Sequence, residues 1–179
     1  MKVTLNEAKT IIENGGIIAY PTETTWGLGC DAMNENALAQ LNVVKQRSAN
    51  KGFIVLIHNY KQLSTLSSPL NNNQRQTIET KWPGPHTFIF PALPTLPKLL
   101  SGTNKGIAIR MSSHSVAHAL CENSPITSTS ANVSNQPTIT NVDELLIVFG
   151  SLIDGIIDKP PGYQSPSSIT DIISGKRYR

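Results

Sequence analysis

Thr22, Glu23, Thr24 and Thr25 crowd three hydroxyls and a carboxylate into four consecutive positions, and Trp26-Gly27-Leu28-Gly29-Cys30-Asp31-Ala32 follows at once. Hydroxyls and backbone N–H groups at that density can hold a polar or anionic ligand, and glycines let the backbone approach it closely. The apolar run 16–20 before this stretch reads as a buried strand, and the segment 34–45 after it as a helix. A polar loop leaving a buried strand is where open α/β sheets place ligands.

Three further groups suit the same kind of chemistry. Lys45, Arg47 and Lys51 put three cations within seven residues, just ahead of the apolar run 53–57. Such a cluster can clamp phosphate or carboxylate oxygens, Arg through a planar fork and Lys as a point charge. It equally suits a solvated helix C-terminus, where the dipole favours cations. Arg110 ends the otherwise apolar run 106–110, either fixed there for a ligand or reaching solvent from an edge. The run 128–135 (Ser-Thr-Ser-Ala-Asn-Val-Ser-Asn) carries four hydroxyls and two side-chain amides, enough to wrap a phosphate or simply to make a solvated turn. Thr87 follows the rigid turn Trp82-Pro83-Gly84-Pro85-His86, and Ser167 opens a late hydroxyl-rich stretch, 166–171.

Other chemistries lack their motifs. His114 and His118 stand at i, i+4 without the Glu of H-E-x-x-H, and no G-x-x-x-x-G-K-[ST], G-x-G-x-x-G or G-x-S-x-G occurs. Cys30 and Cys121 lie 91 positions apart with no C-x-x-C, which reads as two free thiols. Aromatic content of 6% includes no run suited to stacking successive bases. What remains is positioning and charge neutralisation rather than covalent catalysis, as in phosphoryl or nucleotidyl transfer.

The elements that must carry these groups alternate in type. Helices are expected over 4–14, 34–45, 71–81, 115–122 and 142–149. Strands are expected over 17–20, 53–57, 86–90, 106–110, 126–129, 155–158 and 168–172, with a Pro/Gly/Ser loop at 159–166. The expectation is one α/β domain, 1–179, with a twisted mixed sheet flanked by helices. Hydrophobic content is 39%, charged content only 15% and net charge +3, compatible with a phosphate ligand or RNA without pointing to either. Residues 1–7 lack an apolar signal-peptide core and no apolar run is long enough to span a bilayer, so a cytoplasmic protein without membrane contact is expected.

Taken together, YPTETTWGLGCDA, KQRSANKG, WPGPHTFIF, IAIRM, STSANVSNQP and PSSITD resemble the YrdC/TsaC-type family of threonylcarbamoyl-AMP synthases, in its short single-domain bacterial form. The resemblance implies a YrdC-like fold around a concave, positively charged cavity. It implies an ATP-dependent nucleotidyltransferase that makes L-threonylcarbamoyladenylate and pyrophosphate from L-threonine, bicarbonate and ATP, with Mg²⁺ arriving on ATP. The product would serve N6-threonylcarbamoyladenosine modification of tRNA, through a separate transferase complex. By the same likeness Thr22, Thr25, Arg110 and Ser128 would hold threonine, and Lys45, Arg47 and Lys51 would neutralise the triphosphate. Thr87, Ser130, Asn132 and Ser167 would line the nucleotide side.

The sequence departs from the family pattern in places. Trp26 stands where Tyr or Phe is usual, Leu56 where longer relatives carry a His, and Asn135 where Gly is usual, a residue that tolerates left-handed backbone. Lys51-Gly52 replaces a commoner Lys-Pro or Asn-Pro, and Arg179 leaves little tail to close the cavity. Two alternatives stand beside this reading. One is an RNA-binding module that uses a basic concave face for tRNA or double-stranded RNA. The other is carbamoyl-adenylate chemistry on another substrate, as in domains of hydrogenase maturation proteins.

Overall fold

Eight strands form one mixed sheet in the order β7-β1-β2-β6-β3-β5-β4-β8. In chain order the elements are α1 (Leu5–Glu13), β1 (Ile18–Pro21), β2 (Trp26–Gly29), α2 (Glu35–Val44), β3 (Ile54–Leu56), α3 (Tyr60–Ser64), α4 (Asn72–Glu79), β4 (His86–Pro91), α5 (Lys98–Ser101), β5 (Gly106–Arg110), α6 (Ser115–Leu120), β6 (Ile126–Ser130), α7 (Val142–Phe149), β7 (Gly155–Ile156) and β8 (Ser168–Asp171). This computed structural model describes residues 1–48, 50–103, 106–134, 136–162 and 165–179. Asn135 and part of the 159–166 loop lie outside the described residues. No helix among the described residues is long and apolar enough to cross a membrane.

The α/β class and mixed sheet match the expectation, and the differences are local. Residues 21–32, read as one polar loop, are a hairpin: β2 pairs antiparallel with β1, Tyr20 facing Gly27 and Pro21 facing Trp26. Only Thr22–Thr25 make the tip. Glycine is poor in strands, which hid β2, yet Gly29 is obligatory there. A Cβ at Gly29 would come within 2.0 Å of the Thr127 carbonyl oxygen and 3.0 Å of the Tyr20 ring. Gly29→Ala is therefore expected to cost about 3 kcal/mol by overpacking. A denaturant melt checks this, and an unchanged midpoint would mean that β2 and β6 part easily. The short helices α3 and α5 were also missed, being too brief to show a period.

Caps fix where the longer helices begin. Thr4 with Glu7, and Asn71 with Gln74, form capping boxes, while Asn34 and Asn141 cap α2 and α7. The C-terminus of α2 matters more for function. The N–H of Gln46 bonds the Val43 carbonyl and that of Arg47 the Asn42 carbonyl, the paired bonds of a Schellman motif. Gln46 takes φ 48°, a left-handed conformation more natural to Gly or Asn. This reversal separates Lys45 from Arg47 and sends the chain towards β3.

The two sheet faces are covered unequally. One carries a core of Leu28, Val55, Ile107, Ile109 and Phe90, packed with α2, α4 and α7 residues such as Leu38, Ile78 and Phe149. The other carries Ile18, Tyr20, Leu56 and Ile126 under Ala8 and Ile12 of α1 and Val116, Ala117 and Leu120 of α6. Helices α1 and α6 cover only one end of that second face. Strand alternation puts Ile54, Ala108 and Ser128 on the same face at the other end, where Ile54 pairs with both Ala108 and Ser128. There the sheet floors a cavity.

Candidate active site

The cavity has a volume of about 1110 Å³. Its floor is the cross-strand row Ser128, Ile54, Ala108 and Ile89, with Gly27, which pairs with Ser130, beside it, small enough at Gly27 and Ala108 to leave depth. Thr24, Thr25 and Trp26 form one side, Ser130, Thr138 and Thr140 another. Leu100, Ile169 and Ile173 give an apolar flank. Charge enters through Arg47, Arg110 and Arg179, with Asp171 as the one carboxylate lining it among the described residues.

Arg110 reaches the cavity because β5 alternates: Ile107 and Ile109 enter the core, whereas Ala108 and Arg110 face the other way. Its side chain and that of Glu23 are each only 4% exposed, and Arg110 Nη1 lies 3.4 Å from Glu23 Oε1. The Ser112 hydroxyl donates to Glu23 Oε2. Arg110 Nε is buried without a hydrogen-bond partner.

Arg47 is held on three sides. Nη1 donates to Thr129 Oγ1 at 3.1 Å and Nη2 to the Gly52 carbonyl at 2.5 Å, while the guanidinium carbon sits 5.2 Å from the Phe53 ring centre. Its Nε is buried and unpartnered, and burial pushes its pKa down.

Lys45, expected beside Arg47 in a phosphate clamp, does not line the cavity. It is buried, and its ammonium donates to the carbonyls of Ser130 and Asn132 and to Asn132 Oδ1. Burial, with Arg47 nearby, pushes its pKa down to about 8. Asn132 is half-buried and also outside the lining: its Oδ1 accepts the Ser130 hydroxyl at 2.6 Å, and its Nδ2 donates to Val133 and Gln136 carbonyls. These two residues shape the loop after β6, and Ser128 and Ser130 are what the cavity sees. Lys51 is exposed and outside the lining, its backbone bridged to Gly102.

Thr22 is the keystone of the hairpin tip. Its hydroxyl donates to the Thr25 carbonyl at 2.7 Å and accepts the N–H groups of Thr24 and Thr25, each at 3.2 Å. Thr22 lines the cavity together with Thr24 and Thr25, which are less buried. Thr87 is buried on the same sheet face as Ile89 but outside the lining, its hydroxyl 3.0 Å from that of Ser167. Ser167 lines the cavity itself.

Sequence reasoning missed Arg179. Residues after β8 turn at Ser174–Gly175 and return, Arg177 bridging back to Thr170. Arg179 Nε then donates to the Ser167 carbonyl at 2.8 Å and Nη2 to Ser167 Oγ at 3.3 Å. Tyr178 and Arg179 thereby finish the rim that the short tail was expected to leave open. Burial and the charge of Arg110 lower the Arg179 pKa.

Asp171 Oδ1 accepts the Ile173 and Ser174 N–H groups at 2.9 and 2.8 Å, so the lining carboxylate already serves its own turn. Among the described residues no three His, Cys, Asp or Glu side chains converge. Such a donor set fits a magnesium ion carried on a nucleotide by phosphate oxygens and water, not a protein cage.

Comparison with known proteins adds the following. The Sua5/YciO/YrdC family model, described as telomere recombination, matches residues 10–179. Threonylcarbamoyl-AMP synthase of Coxiella burnetii (strain RSA 493) is 40% identical over 179 residues, covering 98% of this chain and 96% of its own. That of Enterobacter sp. (strain 638) is 38% identical over 180 residues, covering 98% and 95%. Among solved structures, Pyrococcus abyssi Sua5 complexed with L-threonine superposes with TM-score 0.88 at 31% identity, over 93% of this chain. The chain spans about half the length of that protein, 50% of it. Escherichia coli YciO gives TM-score 0.82 at 28% identity, covering 93% of this chain and 82% of its own. HypF, at 18% identity and TM-score 0.80, shares the fold.

Proposed function

The chain belongs to the Sua5/YciO/YrdC family, and from that premise we propose that it is an L-threonylcarbamoyladenylate synthase. The observation that carries this reading is the cavity itself: among the described residues, three guanidiniums against one lining carboxylate, ringed by hydroxyls, beside an apolar flank. Guanidiniums suit phosphate and carboxylate oxygens, and the flank suits a purine ring. The volume of about 1110 Å³ is ample for a nucleotide and an amino acid together.

In this scheme the threonine amine attacks bicarbonate or its CO₂ and forms a carbon–nitrogen bond, with loss of water overall. The resulting N-carboxylate attacks the α-phosphorus of ATP, and pyrophosphate leaves. No protein nucleophile takes part, so the protein's contribution is orientation and charge neutralisation. Arg110 would grip the threonine carboxylate, with Thr25 and Ser128 beside it. Arg47 and Arg179 would face the phosphates, with Ser130 and Ser167 on the same side. Thr22 would join the threonine side while its hydroxyl ties the hairpin tip; Lys45, Thr87 and Asn132 would hold those walls in place, and Lys51 would act from the solvent edge. Magnesium would come and go with ATP. The product would pass to a separate transferase acting on tRNA.

The deciding experiment is a pyrophosphate assay with each substrate omitted in turn. Release is expected to require L-threonine and bicarbonate as well as ATP. Turnover indifferent to threonine would remove the assignment. Retention of tRNA that weakens steeply with salt and ignores ATP would instead favour the RNA-binding alternative.

A further inference from the structure

Glu23 is unusual among the acidic residues: it is 3% exposed, it does not line the cavity, and it sits directly behind a residue that does. Two segments outside its own hairpin hold it. The Ser112 hydroxyl, from the segment after β5, fixes Oε2. Gly162 fixes the hairpin tip that carries it, its N–H donating to the Thr22 carbonyl at 2.9 Å. Gly162 presses closely enough that a Cβ there would come within 2.5 Å of the Glu23 carbonyl oxygen. The remaining oxygen, Oε1, has no hydrogen bond and looks onto Arg110 Nη1 at 3.4 Å.

A buried ion pair of this kind is a poor way to gain stability, because desolvation offsets most of the attraction and an apolar pair would pack as well. Its charge is also unhelpful for binding an anion: a carboxylate behind the guanidinium weakens the field that Arg110 presents to the cavity. What the arrangement does supply is direction. A guanidinium has five N–H donors in a rigid fork, and tethering one corner to a fixed carboxylate sets where the others point.

We propose that Glu23, braced by Ser112, is a positioning residue that aims the Arg110 guanidinium at the carboxylate of the amino-acid substrate. The inference rests on the reading of Arg110 above, and it separates two effects of opposite sign. If Glu23 acted through charge alone, Glu23→Gln would tighten binding of an anionic substrate. If it acts by aiming, the same change weakens binding of that substrate and leaves the nucleotide largely unaffected.

The test is steady-state kinetics on Glu23→Gln, with Ser112→Ala as the milder change that keeps the charge and removes only the brace. Glu23→Gln is expected to raise the KM for L-threonine about tenfold while the KM for ATP moves less than about threefold; Ser112→Ala should raise the threonine KM about threefold. Glu23→Asp should recover part of the loss. An unchanged or lowered threonine KM in Glu23→Gln overturns the proposal, as does an ATP KM that rises in step. Nitrogen-15 NMR of the Arg110 Nε–H signal in the ligand-free protein reads the aiming itself, whatever the substrate. That signal should shift and broaden in Glu23→Gln, and an unaltered signal also overturns the proposal. A shifted signal in a protein whose turnover ignores threonine would leave the aiming in place and remove the substrate reading instead.

Discussion

Arg47→Ala is expected to lower kcat/KM for ATP in the pyrophosphate assay by about 100- to 1000-fold, the scale of removing one preorganised charge from a dry site. The guanidinium is fixed before any ligand arrives, by Thr129 Oγ1, the Gly52 carbonyl and the Phe53 ring. Its orientation is therefore built into the fold, and the N–H groups not used on the protein are available to phosphate oxygens. Some stability will be lost as well, about 1–2 kcal/mol, because Gly52 and Thr129 each lose a charged donor. That loss is too small to unfold an ordinary domain, so a thermal melt beside the kinetics separates the two effects. Arg47→Lys should restore charge without the fork and recover only a minor part of the activity. A near wild-type rate in Arg47→Ala would make Arg47 a strut of the loop ahead of β3 and nothing more.

The contrast between Arg110 and Arg179 shows how much of the site was legible in the sequence. Ile-Ala-Ile-Arg announces a strand with one core face, and its period puts Ala108 and Arg110 together on the other. The run from Ser128 to Ser134 is similarly legible, because its hydroxyls cluster at a strand end. Arg179 carries no local signal. It reaches the cavity only because Gly175 takes φ 68° and lets the last residues double back along β8. Strand β2 was hidden for a different reason: its glycines serve contacts with Tyr20 across the hairpin and with Thr127, far away in sequence. Periodicity reports what one element does alone, and these features depend on a partner element. Lys45 and Arg47 make the point most sharply. Two cations two positions apart look equivalent in sequence, but the left-handed turn at Gln46 sends one into the protein and the other to the cavity wall.

Lys45→Met should therefore fail in a different way from Arg47→Ala. The methionine keeps the bulk but leaves the Ser130 carbonyl, the Asn132 carbonyl and Asn132 Oδ1 without their shared donor. The Ser130 carbonyl keeps the Asn132 N–H and Asn132 Oδ1 keeps the Ser130 hydroxyl, so the loss falls mainly on the Asn132 carbonyl, and about 1–3 kcal/mol in a denaturant melt is expected. Ser128 and Ser130 shift with the loop, and misplacing a binding wall by about 1 Å is enough to cost about 100-fold in turnover. The pH dependence adds a sharper mark. The folded Lys45 pKa is pushed from 10.5 to about 8. Between those values the unfolded chain binds a proton that the folded protein does not, so this group makes stability rise with pH across that window and adds no slope below it. Over the same window the neutral amine retains two N–H donors for three acceptors, and the loop loosens. Turnover should then fall as pH rises past about 8 while Lys45 contributes no loss of global stability. In Lys45→Met that alkaline limb should be absent from an already low rate. If Lys45→Met keeps the alkaline limb, or keeps its melting midpoint while losing only ATP affinity, then Lys45 contacts phosphate directly and the strut assignment falls.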